Sequence, residues 1–102
     1  MYKISFETPV HVYFIGIGGI SMSGLAQILI ERGFKVSGSD NKKSPLTEAL
    51  SAQGINIMYG QKAENITGSA PIDVVVYTAA VHPDNPEFMA ATEAGIPMLT
   101  RA

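Results

Sequence analysis

HVYFIGIGGISMSGL, residues His11–Leu25, changes its period halfway along. Val10–Ile17 is rich in β-formers and almost continuously apolar, as a strand buried on both faces must be. Glycines interrupt it. Beyond them Met22, Leu25, Ala26 and Leu29 recur at i, i+3, i+4 and i+7, which makes one apolar helix face. The stretch therefore reads as strand, glycine turn, helix. At such a junction the first helical N–H groups have no partner within the helix, and the helix dipole adds partial positive charge. Glycines allow a tight turn and a close backbone approach, so an anion such as a diphosphate can be held without a basic side chain. No Lys or Arg lies between Val10 and Glu31, so backbone N–H groups must supply the contacts, with Ser21 and Ser23 as added hydroxyl donors.

The same pattern repeats outward along the chain. Gly33 follows the first helix where a left-handed C′ residue is needed. Lys35–Gly38 reads as a second strand ending at Ser39-Asp40. Ser44-Pro45 is an N-cap with proline at the first helical position, followed by the apolar Leu46, Ala49 and Leu50 and closed by Gly54. Ile55–Tyr59 reads as a third strand, and 61–71 as a loop with at most one helical turn. Asp73–Thr78 is the clearest central strand. Asn85-Pro86 repeats the cap-plus-proline device before a helix through Phe88–Ala91, with Thr92 and Glu93 facing outward. Ile96–Thr100 is a last short strand. Strands alternating with helices predict an α/β, Rossmann-like three-layer sandwich with a mainly parallel sheet of about five strands.

Composition narrows the function classes. The 102 residues fit one domain, and 46% apolar against 16% charged residues indicates a globular chain. A net charge of −2 gives no basic footprint for nucleic acid. Without cysteine there is neither a disulfide nor a thiolate metal site. Glu7, Pro9 and His11 break any signal-peptide core, and no apolar run reaches the ~20 residues that span a bilayer. A cytoplasmic protein with no membrane partner is expected. His11 is expected to be structural and His82 to lie near the site. Met22, Met58, Met89 and Met98 are expected as core filler, Gly24 as a close-packing residue, Tyr77 as packed in the sheet, Lys42-Lys43 as a solvated turn, and Arg101 as disordered.

Four segments in order carry a family resemblance: HVYFIGIGGISMSGLA (His11–Ala26), VSGSD (Val36–Asp40), VVVYTAAVHPDNPE (Val74–Glu87) and GIPMLTRA (Gly95–Ala102). Together they resemble the N-terminal domain of the Mur ligases across nearly the whole chain. The resemblance implies that residues 1–102 form a single Rossmann-like domain binding the UDP part of UDP-N-acetylmuramate. It also implies a longer ligase, in which ATP and magnesium serve to form an acyl phosphate that the amine of L-alanine attacks. The P-loop, the ATPase domain and the C-terminal domain would lie beyond residue 102, so this stretch would bind without catalysing and hold no cofactor of its own. Carried onto this chain, Gly16, Gly18, Gly19, Ile20 and Ser21 would line the diphosphate. Ser39 and Asp40, with Ala79, Ala80, Val81 and His82, would lie around the uridine and sugar. Two departures stand out: Ser21 where the family usually has glycine, and Gln61 where it often has histidine. Three alternatives remain open on the residues. One is the NAD-binding half of a dehydrogenase, with Asp40 on a ribose. The others are the related ligase that recycles murein peptides and a Rossmann domain without ligand.

Overall fold

The computed structural model describes residues 8–101. Glu7, used above against a signal peptide, and Ala102 lie outside them. The elements run β1 (His11–Ile15), α1 (Ile20–Glu31), β2 (Lys35–Asp40), α2 (Pro45–Ala52), β3 (Asn56–Tyr59), α3 (Glu64–Thr67), β4 (Val74–Thr78), α4 (Pro86–Glu93) and β5 (Met98–Arg101). The five strands form one sheet in the order β3-β2-β1-β4-β5, and every neighbouring pair is parallel. This is the α/β three-layer sandwich that the alternation predicts.

The pleat explains the layers. In β1, Val12 and Phe14 point to one face, where Met22, Ala26 and Leu29 of α1 and Leu50 of α2 cover them. Tyr13 and Ile15 point to the other, against Ile66 of α3 and Ala90 and Ala91 of α4. A strand buried on both sides must be apolar at every position, which is why the alternation of a half-exposed strand is missing from this stretch.

Some boundaries shift for physical reasons. Gly16, at φ +82°, turns the chain out of the sheet, so β1 stops at Ile15 and not at Ile17. β2 runs two residues past Gly38 because Ser39 and Asp40 still pair with Met58 and Tyr59. The irregular stretch 61–71 contains only the single helical turn α3.

Several side chains differ from expectation. Met22 is buried, and Met58 and Met98 pack partly buried against the second cluster, but Met89 is exposed because α4 turns Ala90, Ala91 and Glu87 inward. Gly24 has nothing within 4 Å of where a Cβ would sit, so it serves no close packing. His11 is structural, as expected. Its Nδ1 lies 2.7 Å from the Pro71 carbonyl, which only accepts, so Nδ1 carries the proton. Nε2 of the neutral ring then accepts from the Ser37 hydroxyl at 2.7 Å.

Tyr13 is fully buried, and among the described residues its hydroxyl has no hydrogen-bond partner of good geometry, although Ser39, Glu87 and Asn65 lie near it. Burial, with the Glu87 carboxylate adding to it, pushes the phenol far above its ordinary range. Unfolded tyrosine ionises near pH 10, so above that pH the folded state holds a proton that the unfolded state loses, and stability falls. Tyr13→Phe is expected to raise stability by about 1 kcal/mol at neutral pH, by removing an unpaired buried hydroxyl. It should also reduce the loss on raising the pH past 10. Urea unfolding at pH 7 and pH 10.5 checks both, and a destabilised variant at pH 7 would contradict them.

Candidate functional site

In a parallel sheet a crevice opens where chain connections depart to opposite sides of neighbouring strands. Here that point lies between β1 and β4, whose connections lead to α1 on one face and α4 on the other. A cavity of about 420 Å³ lies at their C-terminal ends. Gly16, Gly19 and Met22 line one wall, and Ala80, Val81 and His82 the other, with Asn41, Gln61, Asp84 and Asn85 adding polar groups.

The glycine loop fills its own hydrogen bonds first. Gly16 and Ile17 each donate N–H to the Ser39 carbonyl at 2.9 Å, and Gly19 donates to Gly16 at 3.3 Å. Gly18 donates to Asp40 Oδ2 at 2.8 Å. The free donors come one step later, at Ile20, Ser21 and Met22, the first three residues of α1, which have no intrahelical acceptor. The N-cap of α1 is Gly19, with no side-chain cap and no acidic residue in the first turn. The other two long helices are closed: Ser44 and Thr47 form a reciprocal cap on α2, and Asn85 caps α4. The N-termini of α1 and α4 both border the crevice, and of the two only that of α1 has no side-chain cap.

The expected site residues divide accordingly. Gly16 and Gly19 line the crevice, while Gly18 leaves room for Asp40, since a Cβ there would sit 2.7 Å from Asp40 Oδ2. Asp40 holds the loop, and its other oxygen accepts from the Lys42 N–H at 3.3 Å. Ile20 is 86% exposed, and its side chain is not part of the crevice lining. Ser21 is exposed, and its hydroxyl accepts from Arg101 Nε at 2.8 Å; Arg101, expected as disordered, is the last residue of β5. Ala80, Val81 and His82 line the second wall; Ala79 is exposed but not part of the lining.

Two expectations need correction. Ser39 has no exposed surface, and its hydroxyl donates to Glu87 Oε1 at 2.6 Å, so its side chain does not reach a uridine or sugar. Ser23 is buried and donates to the Ile20 carbonyl at 3.0 Å, so it is not a ligand donor. Lys43 forms an exposed pair with Glu48 at 3.7 Å, in keeping with a solvated turn. Tyr77 packs edge-on against Phe88 at 5.1 Å. Glu87 is wholly buried, and its second oxygen accepts from Asn65 at 2.6 Å and from the Lys62 N–H at 3.2 Å, which ties α4 to β2 and α3. No helix among the described residues is long and apolar enough to cross a membrane.

Comparison with known proteins bears on the family and the fold. Residues 11–102 match the family described as "Mur ligase family, catalytic domain". The whole chain is 67% identical to 22% of the UDP-N-acetylmuramate–L-alanine ligase of Agathobacter rectalis. Among solved structures, UDP-N-acetylmuramate-alanine ligase from Thermotoga maritima superposes with a TM-score of 0.83 at 35% identity, over 89% of this chain and 20% of that one. A UDP-N-acetylmuramate:L-alanyl-gamma-D-glutamyl-meso-diaminopimelate ligase from Neisseria meningitides does so at 0.82 and 34% identity, over 91% and 29%. The chain spans about a fifth of the length of the curated relatives it matches.

Proposed function

Because this chain belongs to the Mur ligase family, we propose that its crevice binds the UDP part of UDP-N-acetylmuramate. The observation that carries this reading is the open N-terminus of α1 at the crevice between β1 and β4. The N–H groups of Ile20, Ser21 and Met22 would hold the diphosphate, aided by the helix dipole. Gly16 and Gly19 keep Cβ atoms away from it. Asp40 fixes the loop, and Ala80, Val81 and His82 bound the nucleotide on the far side.

In this reading the domain presents the substrate for ATP-dependent ligation to L-alanine in peptidoglycan precursor synthesis. It forms a cytoplasmic domain of a longer ligase. ATP and magnesium would serve the longer ligase, and the glycine loop of this chain lacks the Lys followed by Ser or Thr of a P-loop. Likeness to the Neisseria ligase supports a second reading, in which the same nucleotide is bound and the amine is a peptide.

Calorimetric titration of the domain with UDP and with NAD separates the nucleotide classes. Heat of binding with UDP and none with NAD is expected. Binding of NAD alone would overturn the proposal.

A further inference from the structure

A chain of forced amide orientations crosses the crevice wall. Asn85 Oδ1 accepts the N–H groups of Glu87 and Phe88 at 2.9 and 3.2 Å, as the cap of α4. Only the oxygen of that amide accepts, so the cap fixes which way the side chain faces. Its NH₂ therefore points at Gln61, where Nδ2 donates to Oε1 at 2.6 Å. Gln61 must present its oxygen to Asn85, and its own NH₂ is turned away. That NH₂ has no acceptor among the described residues, and Gln61 lines the same crevice as Gly16 and Gly19.

We infer that Gln61 is a ligand-binding residue, donating from Nε2 to a phosphate oxygen of the nucleotide, and that Asn85 is its positioning residue. This rests on the nucleotide reading given above. A neutral donor aimed beforehand loses little freedom on binding, and it adds a contact that the helix N-terminus alone does not provide. Helix α4 thereby helps to set the ligand geometry without touching the ligand.

The test is calorimetry with UDP on five forms of the chain: unmodified, Gln61→Met, Asn85→Asp, the double variant and Gln61→Glu. Gln61→Met is expected to weaken UDP binding about tenfold, the loss of one hydrogen bond to a charged group. Asn85→Asp keeps the cap, since aspartate caps as well as asparagine, and the melting temperature should hold. Its carboxylate accepts from the Gln61 NH₂, which turns the amide over and faces an oxygen to the phosphate, so affinity falls at least as far. The new charge repels the phosphate in either background, but Asn85→Asp should cost less in the Gln61→Met background, because no amide is left to turn. Gln61→Glu, which still accepts from Asn85, should lose binding as well. UDP affinity of Gln61→Met within twofold of the unmodified chain, or fully multiplicative losses in the double variant, would overturn the inference and leave the nucleotide reading intact. Failure of the unmodified chain to bind UDP would instead remove that reading.

Discussion

Gly19→Asp is expected to abolish UDP binding while leaving the domain as stable as before or slightly more so. Gly19 is the N-cap of α1, at φ −66° and ψ 150°, an extended conformation open to any residue. A Cβ there would have its nearest neighbours at 3.7 Å, an ordinary contact. The new carboxylate would accept from the N–H groups of Ser21 or Met22, which the structure leaves open, and so cap the helix. Aspartate exceeds glycine as a cap by only a few tenths of a kcal/mol. For an anionic ligand the consequences are severe, because its donors are taken and a like charge stands in their place. A loss of about 100-fold or more in affinity is expected, equivalent to about 3 kcal/mol. Calorimetry and a melting curve on one sample check both halves. Affinity within tenfold of the original would place the diphosphate elsewhere.

The largest effect on folding is expected from Gly38→Ala. Gly38 pairs with Phe14 across β1 and β2. An added Cβ would sit 2.6 Å from the Phe14 carbonyl oxygen and 3.0 Å from two carbons of Ile17. The first neighbour is backbone in the middle of the sheet and cannot swing aside. The expected cost is about 3 kcal/mol, a large share of the roughly 5–15 kcal/mol that holds a domain together. In a domain of this size that lowers the melting temperature by about 15 °C. Phe14 and Ile17 flank the start of the glycine loop, so the surviving folded fraction should also bind UDP less well. Gly24→Ala is the control. It is an exposed position of α1 with open space around it, and should gain about 0.5–1 kcal/mol. A loss below about 1 kcal/mol for Gly38→Ala, measured by urea unfolding, would show that the β1–β2 pair can spread.

Local patterns made most of this fold legible. Val12–Ile15 and Val74–Val76 had to be central strands, since nothing else in so short a chain could cover them on both faces. Ser44-Pro45 and Asn85-Pro86 marked the starts of α2 and α4 within one residue, because capping is a matter of neighbouring atoms. The glycine loop was also visible, as was its place between a strand and a helix.

The allocation of hydrogen bonds was out of reach. Which loop amides remain free depends on the Ser39 carbonyl and on Asp40, 22 residues beyond Gly18, and so on the pairing of β1 with β2. That pairing moves the open donors from the glycines to Ile20–Met22. Ser39 looked like a site residue because it ends a strand, but the pleat turns its hydroxyl inward to Glu87, on a helix far along the chain. Asn85 was readable as a cap. The bond from its NH₂ to Gln61, and the free NH₂ this leaves on Gln61, are tertiary facts with no local signature.

The most direct test of the central claim is a ¹H–¹⁵N spectrum of the labelled chain recorded during addition of UDP. If the uncapped end of α1 holds the diphosphate, the amides of Ile20, Ser21 and Met22 should show the largest shifts. Those of Gly16, Ile17 and Gly18, already bonded to Ser39 and Asp40, should move less. A saturating titration that leaves Ile20–Met22 in place and shifts amides away from the crevice would contradict the account.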